Sequence, residues 1–254
     1  MIAFGRVSSP GKVVPNGKIW KQSNITTDGF YIVYYANGIW VVSSNSKKGL
    51  YYSTDGKTWT QSNITSRHFF CVYYANGIWV AGSYSGNGLY YSTNGQTWTQ
   101  SNITTGSFCD IYNANGIWVA GSYSGKGLYY STDGKVWNHS NITSGHFLCV
   151  YYANGIWVAG SYSKKGLYYS TDGKTWTQSN ITSGDFACVY YANGIWVAGS
   201  RRSEGLYYST DGKVWNHSNI TSNSFYSIYN ANGIWVTGDY NNNGLYYSES
   251  YIPS

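Results

Sequence analysis

The tryptophans of this chain recur with a fixed period. The pentapeptide Ala-Asn-Gly-Ile-Trp ends at Trp40, Trp79, Trp118, Trp157, Trp196 and Trp235, each 39 residues after the one before. A second tryptophan keeps the same step at Trp20, Trp59, Trp98, Trp137, Trp176 and Trp215. A constant step of this size, holding several strand-like runs per unit, specifies an all-β β-propeller. Copying also sorts the residues. What every copy keeps is packing, and what varies between copies is available to read a ligand.

One copy shows the blade. Phe69-Phe70-Cys71-Val72-Tyr73-Tyr74 is rich in β-formers and reads as a strand. Ala75-Asn76-Gly77 follows as a hairpin signal, then Ile78-Trp79-Val80-Ala81-Gly82 as a second strand. A loop leads to Leu89-Tyr90-Tyr91-Ser92, and the turn Thr93-Asn94-Gly95 leads to a fourth strand, Gln96 to Gln100. The apolar runs are nearly continuous because stacked blades bury both faces of each sheet.

The ends complement each other. The chain opens with Asn16-Gly17-Lys18-Ile19-Trp20, a fourth strand without its first three. It finishes with Phe225 to Tyr229, Ile234 to Val236 and Leu245 to Tyr247, three strands without a fourth. The sequence therefore predicts a six-bladed propeller of four-stranded antiparallel blades. Lys18 to Gln22 pairs with Leu245 to Tyr247 and closes the ring. Residues 1–254 form a single domain, with 1–14 a degenerate lead-in, and the expected state is a monomer.

Composition agrees with one all-β domain of 254 residues. Aromatics make up 19% and charged residues only 10%, an excess the repeat explains, since all 12 tryptophans occupy its two positions. A net charge of +6 falls short of a dedicated nucleic-acid binder. Cys71, Cys149 and Cys188 share one repeat position and Cys109 stands one residue off it. Equivalent positions lie in different blades, so buried free thiols are expected, made in a reducing compartment. No signal peptide and no transmembrane span is read, which points to a cytoplasmic or virion- or surface-associated protein. The near-identical copies point to recent amplification in a bacterial or phage genome. The six Asn-Ile-Thr segments from Asn24 to Asn219 read as turn formers rather than glycosylation sites.

Ser53-Thr54-Asp55-Gly56-Lys57-Thr58-Trp59 resembles the Asp-box of BNR-type propellers, and Asn37-Gly38-Ile39-Trp40-Val41 resembles the segment that precedes it. That family includes sialidases, other glycoside hydrolases, sortilin-type receptors and photosystem assembly factors. The resemblance covers nearly the whole chain. The spacing from Ser to Trp is one residue shorter than usual, Asn94 replaces one Asp, and the last copy degenerates to Ser248-Glu249-Ser250-Tyr251. The resemblance implies that Asp55, Asp133, Asp172 and Asp211 are structural turn residues without chemistry.

Catalytic constellations do not assemble from the sequence. A sialidase needs an arginine cluster, and the four arginines are Arg6, Arg67 and the adjacent Arg201 and Arg202. No motif brings two of Asp28, Asp110, Asp185, Glu204, Asp239 and Glu249 across one bond. His139 and His217 share an outer-strand position, and neither they nor His68 and His146 show metal-ligand spacing. The expectation is a protein that is not an enzyme and uses no metal or cofactor.

Variation gathers on one face. The loops joining strands two and three carry Tyr84, Tyr123, Tyr162, Arg201 and Tyr240, with Lys165 beside them. The loops between blades carry His68, His146 and Asp185. Tolerance of change in loops explains such a pattern without function. The functional reading is a rim of aromatic platforms for sugar rings, flanked by Ser, Asn and Lys. It makes the protein a multivalent carbohydrate-binding module whose partner is a glycan. Alternatives are a protein–protein interaction scaffold, signalled by a dominant patch at Arg201 and Arg202, or an anionic polymer held by the basic rim.

Overall fold

A computed structural model describes residues 20–241 and 243–248. It contains 23 strands in six antiparallel sheets, ordered along the chain as blades 1 to 6. Blade 2 is built from Phe69–Ala75, Ile78–Ser83, Leu89–Ser92 and Thr99–Gln100. Blades 1, 3, 4 and 5 repeat this at 39-residue offsets. The chain is an all-β, six-bladed propeller. No described helix is long and apolar enough to cross a membrane.

The backbone follows from the turn residues. Asn76 and Gly77 take φ values of 50° and 78°, the left-handed pair that a two-residue hairpin turn needs, and every copy repeats them. The first strand carries a bulge between Phe69 and Cys71. At the next turn, Ser170 Oγ accepts the N–H of Gly173 at 2.9 Å, while Asp172 Oδ1 accepts the N–H groups of Lys174 and Thr175 at 2.8 Å. The aspartate of this box is thus consumed by backbone.

Blades are joined by the outer tryptophan. Trp98 of blade 2 packs with Val41 and Leu50 of blade 1 and with Phe69, Val72 and Trp79 of its own blade. The same set recurs around Trp137, Trp176 and Trp215. Each tryptophan is also held by an asparagine 35 residues earlier. Asn63 accepts the N–H of Trp98 at 2.8 Å and donates to its carbonyl at 2.9 Å. The first strands of neighbouring blades pack on one another and form the innermost ring. There Tyr73, Tyr112, Tyr151 and Tyr190 make a ladder with centroids 5.2–5.3 Å apart.

All four cysteines are free, Cys149 buried and the others partly so. Burial raises their thiol pKa values, that of Cys188 to about 12. Asp110 occupies the repeat position of Cys71, Cys149 and Cys188. Its Oδ1 accepts the N–H of Ile111 and its Oδ2 that of Val150 in the next blade. Burial nonetheless raises its pKa to about 6, above what the two N–H groups restore.

The expected closure, Lys18 to Gln22 against Leu245 to Tyr247, falls partly outside the described residues. Among the described residues blade 6 has three strands, Phe225–Ala231, Ile234–Asp239 and Leu245–Ser248. Lys21 and Gln22 lie outside any strand, and Lys18 and Ile19 lie outside the described residues. Trp20 is 85% exposed, against 2% for Trp215 at the equivalent position. The faces of blades 1 and 6 that correspond to packed interblade faces elsewhere are exposed. Val33 on blade 1 is 62% exposed where Val72 is 6%, and Leu245 on blade 6 is 79% exposed where Leu50 is 0%.

Candidate functional site

Two loops per blade interlock on one face. The N–H of Tyr84 donates to the carbonyl of His68, and those of Tyr123, Tyr162, Arg201 and Tyr240 donate to Ser107, His146, Asp185 and Ser224, all at 2.7–2.8 Å. The side chains return the bond to the preceding blade: Ser107 Oγ donates to the Tyr84 carbonyl at 2.5 Å, and His146 Nδ1 meets the Tyr123 carbonyl. Tyr84 and Tyr123 are thus fixed by their own blade and the next. The variable loops form a hydrogen-bonded shelf.

On that shelf the aromatic side chains run in a row. Tyr84 and Tyr123 have centroids 5.8 Å apart, as do Tyr123 and Tyr162, the latter pair stacked. Tyr84 lies 3.9 Å from Phe70, and Tyr31, His68 and Phe70 extend the row into blade 1. At the other end the Arg201 guanidinium sits 4.5 Å from the centroid of Tyr162 and 5.3 Å from that of Tyr226. Its Nε donates to Tyr226 Oη at 2.5 Å. Tyr240 packs on Tyr226 at 4.7 Å. Arg202 flanks Tyr162, reaching its hydroxyl at 3.4 Å and Asp185 Oδ2 at 2.7 Å.

This geometry corrects several expected roles. Tyr84, Tyr123 and Tyr162 are half-buried and cover one another, so they are not separate open platforms. Asp185 is buried, with Oδ1 accepting the Lys164 N–H at 2.7 Å and Oδ2 paired to Arg202. It fastens loops and has no face to offer a ligand. His68 is buried among Tyr31, Phe70 and Tyr84, its Nε2 without a hydrogen bond among the described residues. Burial lowers its pKa, with Lys47 adding to the effect. His146 is engaged by the Tyr123 carbonyl. Tyr240 is 70% exposed and Lys165 is exposed, so both are open to a ligand. Arg201 stands within the row itself.

Sequence reasoning missed Tyr31, Phe70 and Tyr226. They occupy the bulged position of the first strand, where the copies read Tyr31, Phe70, Cys109, Leu148, Ala187 and Tyr226. That variation was the available signal, and it falls within a strand rather than a loop.

The carboxylates beside the row are committed. Glu204 Oε2 accepts from Ser200 Oγ at 3.2 Å and from the Asp185 N–H at 3.3 Å. Asp239 accepts the N–H groups of Ser224 and Asn243 at 2.8 and 3.1 Å. Among the described residues no three His, Cys, Asp or Glu side chains are placed to hold a metal ion.

No protein family matches the chain by sequence, and no curated protein matches it. Solved structures do resemble it. The computationally designed Ika8 protein overlays with a TM-score of 0.66 at 11% identity, covering 87% of this chain and 71% of that one. YCF48 from Cyanidioschyzon merolae gives 0.58 at 16% identity, covering 86% and 81%. YCF48 bound to D1 peptide gives 0.61 at 15% identity, covering 93% and 82%. Kluyveromyces lactis Hsv2 gives 0.57 at 10% identity, covering 89% and 76%. At such identities the likeness is one of fold.

Proposed function

We propose that this chain is a non-catalytic recognition scaffold that binds an extended acidic segment of a partner protein along the tyrosine–arginine row. The observation that carries the reading is Arg201, held between Tyr162 and Tyr226 with its terminal nitrogens unbonded among the described residues. A guanidinium fixed by aromatic faces is pre-organised to grip a carboxylate through two parallel N–H bonds. Arg202 spends its charge on Asp185, so Arg201, Lys164 and Lys165 leave the patch cationic. Tyrosines stacked face to face offer edges and hydroxyls, which suit a chain laid across them. That one propeller of like fold, YCF48, has been solved with a peptide agrees with this reading. The commitment of Glu204 and Asp239 to backbone and serine supports a site without acid–base chemistry.

A glycan is the second reading. It is favoured by the repetition of Tyr-Ser in blades 2, 3 and 4, which sets like groups 5.8 Å apart. A polymer of like units would meet them with avidity.

The test is one array carrying acidic and neutral peptides beside neutral and anionic glycans, probed at low and raised salt. Retention of acidic peptides, weakened by salt, is expected. Retention of glycans alone selects the second reading, and retention of neither sinks both.

A further inference from the structure

The row of rim side chains has an open end. Tyr84 faces Tyr123 and Tyr123 faces Tyr162, each pair at 5.8 Å, and Arg201 lies on Tyr162 at 4.5 Å. Each of these three rings is therefore capped by the group from the next blade. Tyr240 has one aromatic neighbour among the described residues, Tyr226 at 4.7 Å. It is 70% exposed, against 38% for Tyr226. The repeat explains this, because the position that follows Tyr240 around the ring holds Asn45.

The exposed ring stands on a fastened loop. The N–H of Tyr240 donates to the carbonyl of Ser224 at 2.8 Å, and Asn241 Nδ2 donates to Ser224 Oγ at 3.2 Å. A large flat side chain on a backbone already held in place loses little freedom when a ligand covers it.

Charge differs on the two sides of Arg201. Toward blade 4 stand Lys164 and Lys165, both exposed. Toward blade 6 stands Asp239, next to Tyr240, its carboxylate accepting from Ser224 and Asn243. An acidic side chain is drawn to Arg201 and the lysines and is repelled near Tyr240, where an apolar ring meets no such repulsion.

The distances set a spacing. The Arg201 guanidinium lies 5.3 Å from the ring of Tyr226, which lies 4.7 Å from that of Tyr240. Along an extended chain, side chains on one side are two residues apart, about 6.7 Å, and the next on that side is about 13 Å away. Only the two-residue spacing fits within those two steps.

We propose that the acidic segment bound at Arg201 carries an aromatic side chain two residues from the acid, and that this ring stacks on the open face of Tyr240. This recognition pattern rests on the reading of the rim as a site for acidic segments, and it adds the apolar half of the ligand.

Fluorescence anisotropy with labelled Gly-Ser peptides tests it. Each peptide carries Glu-Ser-Glu and either no aromatic residue or one Phe, placed one to four residues beyond either glutamate. Phe two residues beyond the glutamate, on one flank, should tighten binding about tenfold over the peptide without Phe. The other spacings should fall well short of that gain. Y240F should keep the gain and Y240A should lose it. An equal gain at every spacing, or a gain that survives in Y240A, overturns this pattern while leaving acidic binding at Arg201 intact. Failure of every peptide to bind the wild type overturns the underlying reading as well.

Discussion

Asn180 accepts the backbone N–H of Trp215 at 2.8 Å and donates to the same residue's carbonyl at 2.9 Å. One amide thus replaces a strand partner and fixes the tryptophan that wedges two blades together. Replacing Asn180 with Ala leaves both backbone groups without that partner, and each such loss costs on the order of 1 kcal/mol or more. Urea denaturation should show N180A less stable by about 1–3 kcal/mol. N219A should cost less than N180A, because Asn219 holds no tryptophan among the described residues.

Asp110 gives stability a pH dependence of unusual sign. Burial raises its folded pKa to about 6, while the unfolded carboxyl sits at 3.8. The folded state therefore binds the proton more tightly. Stability from this group is full below pH 3.8 and is lost as pH rises through about 6. The loss is at most about 3 kcal/mol, and less where water in the lumen relieves the charge. His68 and His139, with lowered pKa values, act in the opposite direction over the neighbouring range. The comparison with D110C isolates the carboxylate. The variant should gain stability over the wild type at pH 7.5 and lose that advantage at pH 4.

The Asp-box carboxylates act the other way. The N–H groups of Thr58 and Lys57 lower the Asp55 pKa to about 2. For Asp172, burial opposes but the N–H groups of Thr175 and Lys174 prevail and the pKa is lowered. Their contribution is present above the unfolded value of 3.8 and is lost as pH falls toward 2. D172A should cost about 1–2 kcal/mol at pH 7 and flatten part of the acid transition. Thermal melts from pH 5 to pH 2 check both.

Rim tyrosines differ in what they support. Tyr84 packs on Phe70 and Tyr123, so Y84A should lower stability by about 1 kcal/mol. Tyr240 is largely exposed, so Y240A should leave the melting temperature unchanged. Calorimetry of the two variants decides whether the row is part of the packing, as the stacking distances indicate.

Much of this fold could be read without coordinates, for a local reason. The Asn76-Gly77 turn, the Trp79 and Trp98 positions and the Ser-x-Asp turn are each short-range signals, and their strict period makes one copy explain the rest. The site was read less well, because its geometry depends on neighbours from the next blade. Asp185 and His68 looked like loop residues open to a ligand, yet bonds and stacking from adjacent loops bury them. Tyr226 looked like a strand residue, and the bulge beneath it turns its ring toward Arg201. The pairing of Lys18 to Gln22 with Leu245 to Tyr247 was expected from the matching ends, and it falls partly outside the described residues.

On the proposed function, binding runs through Arg201 on the rim and not through charge alone. Lys174, on the opposite face, lies 5.8 Å from the ring of Tyr130 and provides the control. Calorimetric titration of an acidic peptide retained on the array should be made with wild type, R201A and K174A. The account predicts at least a tenfold loss of affinity for R201A, the worth of one charge-assisted pair at about 1.4 kcal/mol, and wild-type affinity for K174A. Equal losses in the two variants, or none in R201A, would contradict it.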